Sequence, residues 1–413
     1  MIMSIFDYWT NFLVEVKKYS AIIILRKIYT FLKIIVIFLF GGFVALLCYA
    51  LIPFVKIRFG HLYTSRIGHL CYNMDNYISD RKRRNSSEIG VFVTDKRIAN
   101  NAVFLLWQEQ KNIYFTKYAQ FPLSFLKKYI PDSTLLISWT KEMHPGVSTV
   151  SASPMNIFCD KLQKSHEDIE GFKSDRTFIC MHNRDSGYLG HYGGDGNNHD
   201  FRDFDFDDFA IAIDKVGRQN IYSVRLGEII EKISEVTNSF FIEMTGNKRS
   251  DYIDVLLIYK CLFFVGCNTG FSVISRVFRK PELLINYIPF KISELSAWAA
   301  NSLVIPKKLY NLKEKKYLTF SEMNALKYDI HYKGDFFSDN GIRVDNNSPE
   351  EIADAVLEMK SRVEGTWVDS GNQQKLQFEF WNSLTDSFEE NIIRHDLHIV
   401  ISSTFLERNP HLI

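Results

Sequence analysis

Between Thr177 and Tyr287 the sequence repeats a single pattern, in which short and almost wholly apolar runs alternate with longer segments of helical character. The apolar runs are TFICMH, NIYSVRL, SFFIEM, LFFVGC and ELLINY; DFDFDDFAIAIDKVGR, GEIIEKISEVTN, DYIDVLLIYKC and SVISRVFR separate them as expected helices. A strand apolar at every position has no face for water. Such strands must be covered on both sides, and the intervening helices supply the cover. The pattern therefore predicts an α/β fold built on a parallel, doubly wound, Rossmann-like sheet. Farther on, Ser348-Pro349-Glu350-Glu351 reads as a capping box with proline at the first helical position, so a helix is expected from Pro349. Gln373 to Leu384, with Leu376, Phe380 and Trp381 at helical spacing, reads as the last helix.

The chain of 413 residues is long for one domain, and two are expected. Residues 58–172 read as an N-terminal, acceptor-side Rossmann-like domain. Residues 173–413 read as a C-terminal one, with the polar stretch 165–175 as linker. In the N-terminal part, Val55–Leu62, Gly90–Thr94 and Val103–Trp107 read as strands, Arg66–Ile78 as a helix and Arg81–Arg84 as a solvated basic loop. Residues 1–57 read as a membrane anchor. Ile34–Val55 is a run of 22 residues without a charge, flanked by Lys33 and Lys56. As a helix it would span about 33 Å, the thickness of a hydrocarbon core. It is too long and begins too late for a cleaved signal peptide. Upstream, apolar clusters alternate with Lys17, Lys18, Arg26 and Lys27, as in an interfacial helix. Basic residues stand on both sides of the run, so charge alone does not set its orientation.

Lys and Arg total 49 against 48 Asp and Glu, so no global field draws the chain to nucleic acid. The six cysteines are scattered without C-x-x-C pairs, which argues against a disulfide framework or structural zinc.

Candidate chemistry gathers at the expected carboxyl ends of strands, where open α/β sheets bind ligands. His182, Arg184, Asp185 and Tyr188 follow the first strand of the C-terminal domain. Arg225 and Gly227 end the second, and the loop with Asn268, Thr269 and Gly270 follows LFFVG and opens a helix. An arginine there presents a planar fork of donors to a diphosphate, and the loop adds backbone N–H groups and a hydroxyl. An Arg–Asp surface pair and ordinary glycine turns are the bland alternatives. The stretch Gly190–Asp208 is rich in Asp, Gly and His but lacks EF-hand spacing, and it reads as a substrate loop with His199 and Arg202 as ligand contacts. Asp203-Phe204-Asp205 and Asp205-Phe206-Asp207 spell the D-x-D of metal-dependent transferases, although these acids also suit a helix N-terminus; no metal is expected. Arg66 and His69, at a strand-to-helix transition, are candidates for the acceptor, and His69 for the general base.

The HNRDSGY element (182–188) resembles a donor motif of fucosyltransferase-type GT-B enzymes. The ordered series RIGHL (66–70), CMHNRDSGYL (180–189), HDFRD (199–203), SVRLG (223–227), DYIDVLLIYKCLFFVGCNTG (251–270), KPELLINYIP (280–289) and ISSTFLERNP (401–410) is similar to a family of bacterial glycosyltransferases found with surface-polysaccharide genes. Thr269 stands where that family commonly has Ser. The resemblance implies two facing Rossmann-like domains and a nucleotide-sugar donor in the C-terminal one, with no cofactor and no required metal. It also implies a glycan or lipid-linked acceptor. With the apolar run, it gives a glycosyltransferase at the bacterial inner membrane whose catalytic domains face the cytoplasm. Two other readings stay open: a non-catalytic, membrane-tethered nucleotide- or glycan-binding module, and a nucleotide-sugar epimerase or hydrolase on the same fold.

Overall fold

The computed structural model describes residues 21–137, 139, 176–187, 200–291, 295, 302–327, 335–384 and 399–413. Tyr188, His199, the linker expected at 165–175 and the domain boundary expected at 172 lie outside these residues. The N-terminal part runs α1 (Ala21–Val36), a π-helical turn (Ile37–Gly41), α2 (Gly42–Leu51), β1 (Ile57–Leu62), α3 (Ile67–Arg83), β2 (Ile89–Thr94), α4 (Asn101–Gln108), β3 (Ile113–Phe115) and α5 (Gln120–Tyr129). Two compact units emerge, and they do not follow chain order. Among the described residues, those within 1–63, 85–95 and 110–142 form the first and those within 64–84, 96–109 and 143–413 form the second, so that α3 and α4 belong to the second.

In the first unit β1, β2 and β3 make a small parallel sheet in that order. The helix through α1 and α2 contains a 27-residue stretch, Leu25–Leu51, long and apolar enough to cross a membrane. It packs on α5, where a Cβ on Gly41 would stand 2.5 Å from the carbonyl oxygen of Phe121, so glycine is required there for backbones to approach. Phe38 meets Phe125 and Tyr129 edge-on or tilted, and Tyr49 shares a 2.6 Å hydrogen bond with Ser133.

Two expectations fail in the N-terminal part. Val103–Trp107 is helix rather than strand, because a short apolar run fits either state and Asn100 decides it by accepting from the Val103 N–H at 2.8 Å. Arg81–Arg83 are the last turn of α3 rather than a loop. Asp80 accepts from Arg83 and Arg84, and the basic side chains suit the carbonyl end of a helix.

The second unit contains a seven-stranded, all-parallel sheet of β4 (Phe178–His182), β5 (Tyr222–Gly227), β6 (Phe241–Thr245), β7 (Phe264–Gly266), β8 (Glu282–Tyr287), β9 (Ser302–Pro306) and β13 (Val400–Ile401). Its order is β6-β5-β4-β7-β8-β9-β13. A side sheet of β10 (Lys308–Asn311), β11 (Lys316–Tyr317) and β12 (Ile342–Asp345) is antiparallel. The helices include α6 (Ala210–Gly217), α7 (Asp251–Lys260), α8 (Val273–Val277), α9 (Pro349–Val363), α10 (Gly371–Asn382) and α11 (Ser403–Arg408). The doubly wound expectation holds as a mixed α/β fold with a large parallel sheet. Strands β4, β7, β8 and β9 are buried at nearly every position, as their uniform apolarity requires. The capping box at Ser348 and Glu351 forms as read.

One expected helix is missing. GEIIEKISEVTN follows a helical pattern, yet Glu228–Asn238 is irregular, because neighbouring loops claim its backbone groups. Asp185 accepts from the Glu231 N–H, Arg225 donates to the Lys232 carbonyl, and Asp207 accepts from the Glu235 N–H.

The carboxylate of Glu358, fully buried on α9, holds the C-terminal segment. It accepts from the Ser402 hydroxyl at 2.7 Å, from the Ser403 and Thr404 backbone N–H groups at 3.1 and 3.0 Å, and from Arg362 at 2.9 Å. Truncating it orphans several buried donors at once. Glu358→Ala is expected to cost on the order of 3 kcal/mol in urea unfolding, with Glu358→Gln losing less. A change below about 0.5 kcal/mol in the alanine variant would show that α11 is held by apolar contacts alone.

Candidate functional site

The order β6-β5-β4-β7-β8-β9 reverses direction between β4 and β7, and the loops leaving those two strands diverge from a common edge. In the ladder His182 stands opposite Gly266, and Met181 opposite Arg225, so the three strand ends finish level. A cavity of about 160 Å³ opens there. His182, Asn183, Arg184 and Asp185 from the β4 loop, Glu228 and Ile229 after β5, and Thr269, Gly270 and Phe271 after β7 line it, together with Arg249 and Asp254. A second hollow of about 470 Å³ shares Asn183 and Asp185 and is walled by Asp203, Asp205, Arg225 and Lys232. The Arg184–Asp203 ion pair joins the two walls.

His182 is held by two contacts. Its Nδ1 donates to the Leu226 carbonyl at 2.9 Å and its ring stacks on Phe271 at 4.7 Å. Loss of hydration pushes its pKa down to about 4, the Leu226 hydrogen bond and Asp185 opposing, so the imidazole is neutral at pH 7 with Nε2 as an acceptor. Burial raises the Asp203 carboxyl, and Arg184 opposes this. Asp185 shapes its own loop, accepting from the Gly187 and Glu231 N–H groups at 3.1 Å each. The Thr269 hydroxyl and the Asn268 side-chain oxygen are buried without a hydrogen-bond partner, while the Asn268 amide donates to the Ile288 carbonyl at 2.8 Å.

Other expected site residues lie outside the first cavity. Arg225 is 1% exposed, and its guanidinium is engaged by Glu243, Asn183 and the Lys232 carbonyl and lies over the Phe206 ring at 4.3 Å. It braces Asn183 from behind. Gly227 leaves room for Ile230, which an added Cβ would approach to 3.2 Å. Arg202 packs over Phe201 and lines neither hollow. In the first turn of α3 it is Ile67 that reaches the cavity; Arg66 and His69 are not among its lining residues. The loop after β7 does not feed a long helix, since α8 has five residues, so a helix dipole contributes little there. Its glycine has another use. A Cβ on Gly270 would stand 2.7 Å from the Gly68 nitrogen, so α3 and this loop touch backbone to backbone. Arg279, gripping Asp75 at 2.9 and 3.0 Å, fastens the turn after α8 to α3 as well.

Arg249 and Asp254 were not singled out in the sequence. Asp254 is fully buried and accepts from Arg249 at 2.8 Å, while its second oxygen has no partner. Burial pushes its pKa up to about 7 against the pull of Arg249. Arg249 also binds Asp251 at 2.7 Å, and Asp251 in turn accepts from the backbone and side chain of Asn101 at 2.9 Å each. The signal was a charge cluster, RSDYID, opening a helix directly after a strand. Lys307 was also missed. Burial pushes it down to about 8, and it donates to the Asp203 carbonyl oxygen at 2.9 Å.

No protein-family model and no curated protein matches the chain. Among solved structures, the chain is similar to a glycosyl transferase family 9 protein from Veillonella parvula at 11% identity, covering 60% of this chain and 86% of that one with a TM-score of 0.38. It is also similar to the ADP-heptose LPS heptosyltransferase II of E. coli, at 11% identity over 75% of this chain and all of that one (100%), TM-score 0.41. A third is the E. coli heptosyltransferase WaaC with ADP, at 10% identity over 72% and 99%, TM-score 0.35. Likenesses this distant leave the chemistry to the residues themselves.

Because the folded state holds His182 neutral while the unfolded chain protonates near its ordinary pKa of 6.5, the unfolded state takes up the extra proton between about pH 6.5 and 4. Stability from this residue is present above that window and lost as pH falls through it. Asp254, raised to about 7, acts in the opposite sense, so the readout is the difference between wild type and His182→Asn. Denaturant unfolding from pH 7 to 4.5 should show the wild type losing on the order of 2 kcal/mol more than the variant. Parallel pH profiles would mean that His182 titrates normally.

Proposed function

We propose that the protein is a GT-B glycosyltransferase that moves a sugar from a nucleotide diphosphate donor to a glycan or lipid-linked acceptor. The observation that carries this reading is the convergence of Arg184, a neutral His182, the Thr269 hydroxyl and Arg249 on one cavity where the strand order reverses. In this reading Arg184 meets the diphosphate and offsets the charge that develops on it as the glycosidic bond breaks. Nε2 of His182 and the unpartnered Thr269 hydroxyl accept and donate hydrogen bonds to donor hydroxyls or phosphate oxygens. Arg225 and Asn183 keep the β4 loop in place. The resemblance to surface-polysaccharide glycosyltransferases and to fucosyltransferase donor motifs rests on the residues quoted above.

No metal is needed in this mechanism. Asp203 is bonded to Arg184, while Asp205 and Asp207 accept from backbone N–H groups, which gives the D-x-D acids other partners. In this reading the catalytic residues work on the cytoplasmic face of the bacterial inner membrane, a reading supported by the long apolar helix and by cysteines without pairing motifs, and a green fluorescent protein fused to the C-terminus should be bright.

The test is a panel of nucleotide sugars screened by thermal shift on the full chain, since bound donor stabilises the fold by mass action. For the donor found, Arg184→Ala should weaken binding by about 1.5–3 kcal/mol, and so should Arg184→Ala combined with Asp203→Asn, which leaves no unpaired carboxylate. Turnover should survive EDTA. Unchanged affinity in both variants would remove Arg184 from the site; binding without transfer to any acceptor would favour the non-catalytic module.

A further inference from the structure

We propose that the helix Leu25–Leu51 lies in the plane of an anionic lipid surface, one face in the bilayer and the other on the first unit, instead of crossing the membrane. This rests on the membrane part of the function above and is independent of the reaction. The helix has two opposite faces. Leu25, Tyr29, Leu32, Val36, Leu39, Phe43 and Leu46 recur at alternating spacings of four and three and are 65, 68, 54, 44, 64, 59 and 68% exposed. On the other face Phe38, Gly41, Ala45 and Cys48 turn inward, and the last two join a cluster with Leu123 and Leu126 of α5.

The contact with α5 runs from Phe38 to Cys48, the C-terminal half of the helix, and this argues against an upright span. A bilayer centred on Phe38 would carry α5 to mid-depth with it. Lys127 and Lys128 at the end of α5 are exposed, and a charge at that depth is strongly disfavoured. Laid flat, the same packing keeps α5 on the protein side. The exposed stripe meets acyl chains, and Arg26 and Lys33, two turns apart, reach headgroups by snorkelling.

Charge names the lipid. No acidic residue occurs between Glu15 and Asp75, where eight basic residues stand, nor between Glu109 and Asp132, which contains Lys111, Lys117, Lys127 and Lys128. The described helix and α5 thus present cations and no anions, which complements a negative surface. Tyr114, Tyr118 and Phe54 are 56, 63 and 87% exposed, and aromatic rings favour the interface.

The test uses the full chain bound to vesicles of phosphatidylglycerol and phosphatidylcholine. A fluorophore is placed singly through Leu25→Cys, Leu32→Cys, Leu39→Cys or Leu46→Cys, and lipids brominated at known depths quench it; label taken up by the wild-type chain is subtracted. All four positions should report the same shallow depth. Binding should fall about tenfold or more on pure phosphatidylcholine and in the Arg26→Glu/Lys33→Glu variant. A profile deepest at Leu39 and shallow at Leu25 and Leu46 would mean a crossing helix, overturning the in-plane arrangement while leaving a membrane protein. No association with either vesicle, or a stripe covered by a second copy in light scattering, would overturn both.

Discussion

The reversal of strand order between β4 and β7 is the constraint on which the candidate site depends. From β4 the chain builds outward through β5 and β6, then returns to lay β7 on β4's other side. Loops that leave adjacent strands in divergent directions cannot fill the space between them, so a cavity forms at their shared edge. His182 and Arg184 reach it from one loop, Thr269 and Phe271 from the other. The backbone contact of Gly270 with Gly68 then brings in the start of α3, which belongs to the N-terminal sequence but to the second compact unit.

Burial sets the electrostatics of this edge. Several charged groups stand where water is scarce, and each is matched: Arg184 by Asp203, Arg225 by Glu243, Arg249 by Asp254 and Asp251. Such pairs contribute little net stability, because desolvation nearly cancels their attraction. Their effect is positional. Arg225 fixes Asn183 and the Lys232 carbonyl, and Arg249 ties β6's exit to α7 and, through Asp251, to α4. The same scarcity of water leaves His182 without its proton and makes Asp254 and Lys307 titrate far from their ordinary values.

In the first unit one helix carries two unlike faces. A glycine pair at the π-helical turn lets it seat closely on α5, and close seating commits that face to protein. The stripe opposite is left apolar and exposed. Hydropathy along the chain measures the sum of both faces and cannot separate them.

The sequence by itself determined the parallel sheet, because strands apolar at nearly every position need cover on both faces, and it determined the cap at Pro349 and the strand-end placement of His182, Arg184 and Thr269. It could not decide Val103–Trp107 or Glu228–Asn238. Short apolar or amphipathic stretches suit more than one backbone, and the choice fell to Asn100 in one case and to Asp185, Asp207 and Arg225 in the other. Nor could it separate the arginines. Arg184 and Arg225 each follow or end a strand and look alike in sequence. Only the tertiary structure set the first on the smaller cavity and buried the second against Asn183 and Glu243, because a side chain's partners come from residues distant in the chain that packing alone brings together.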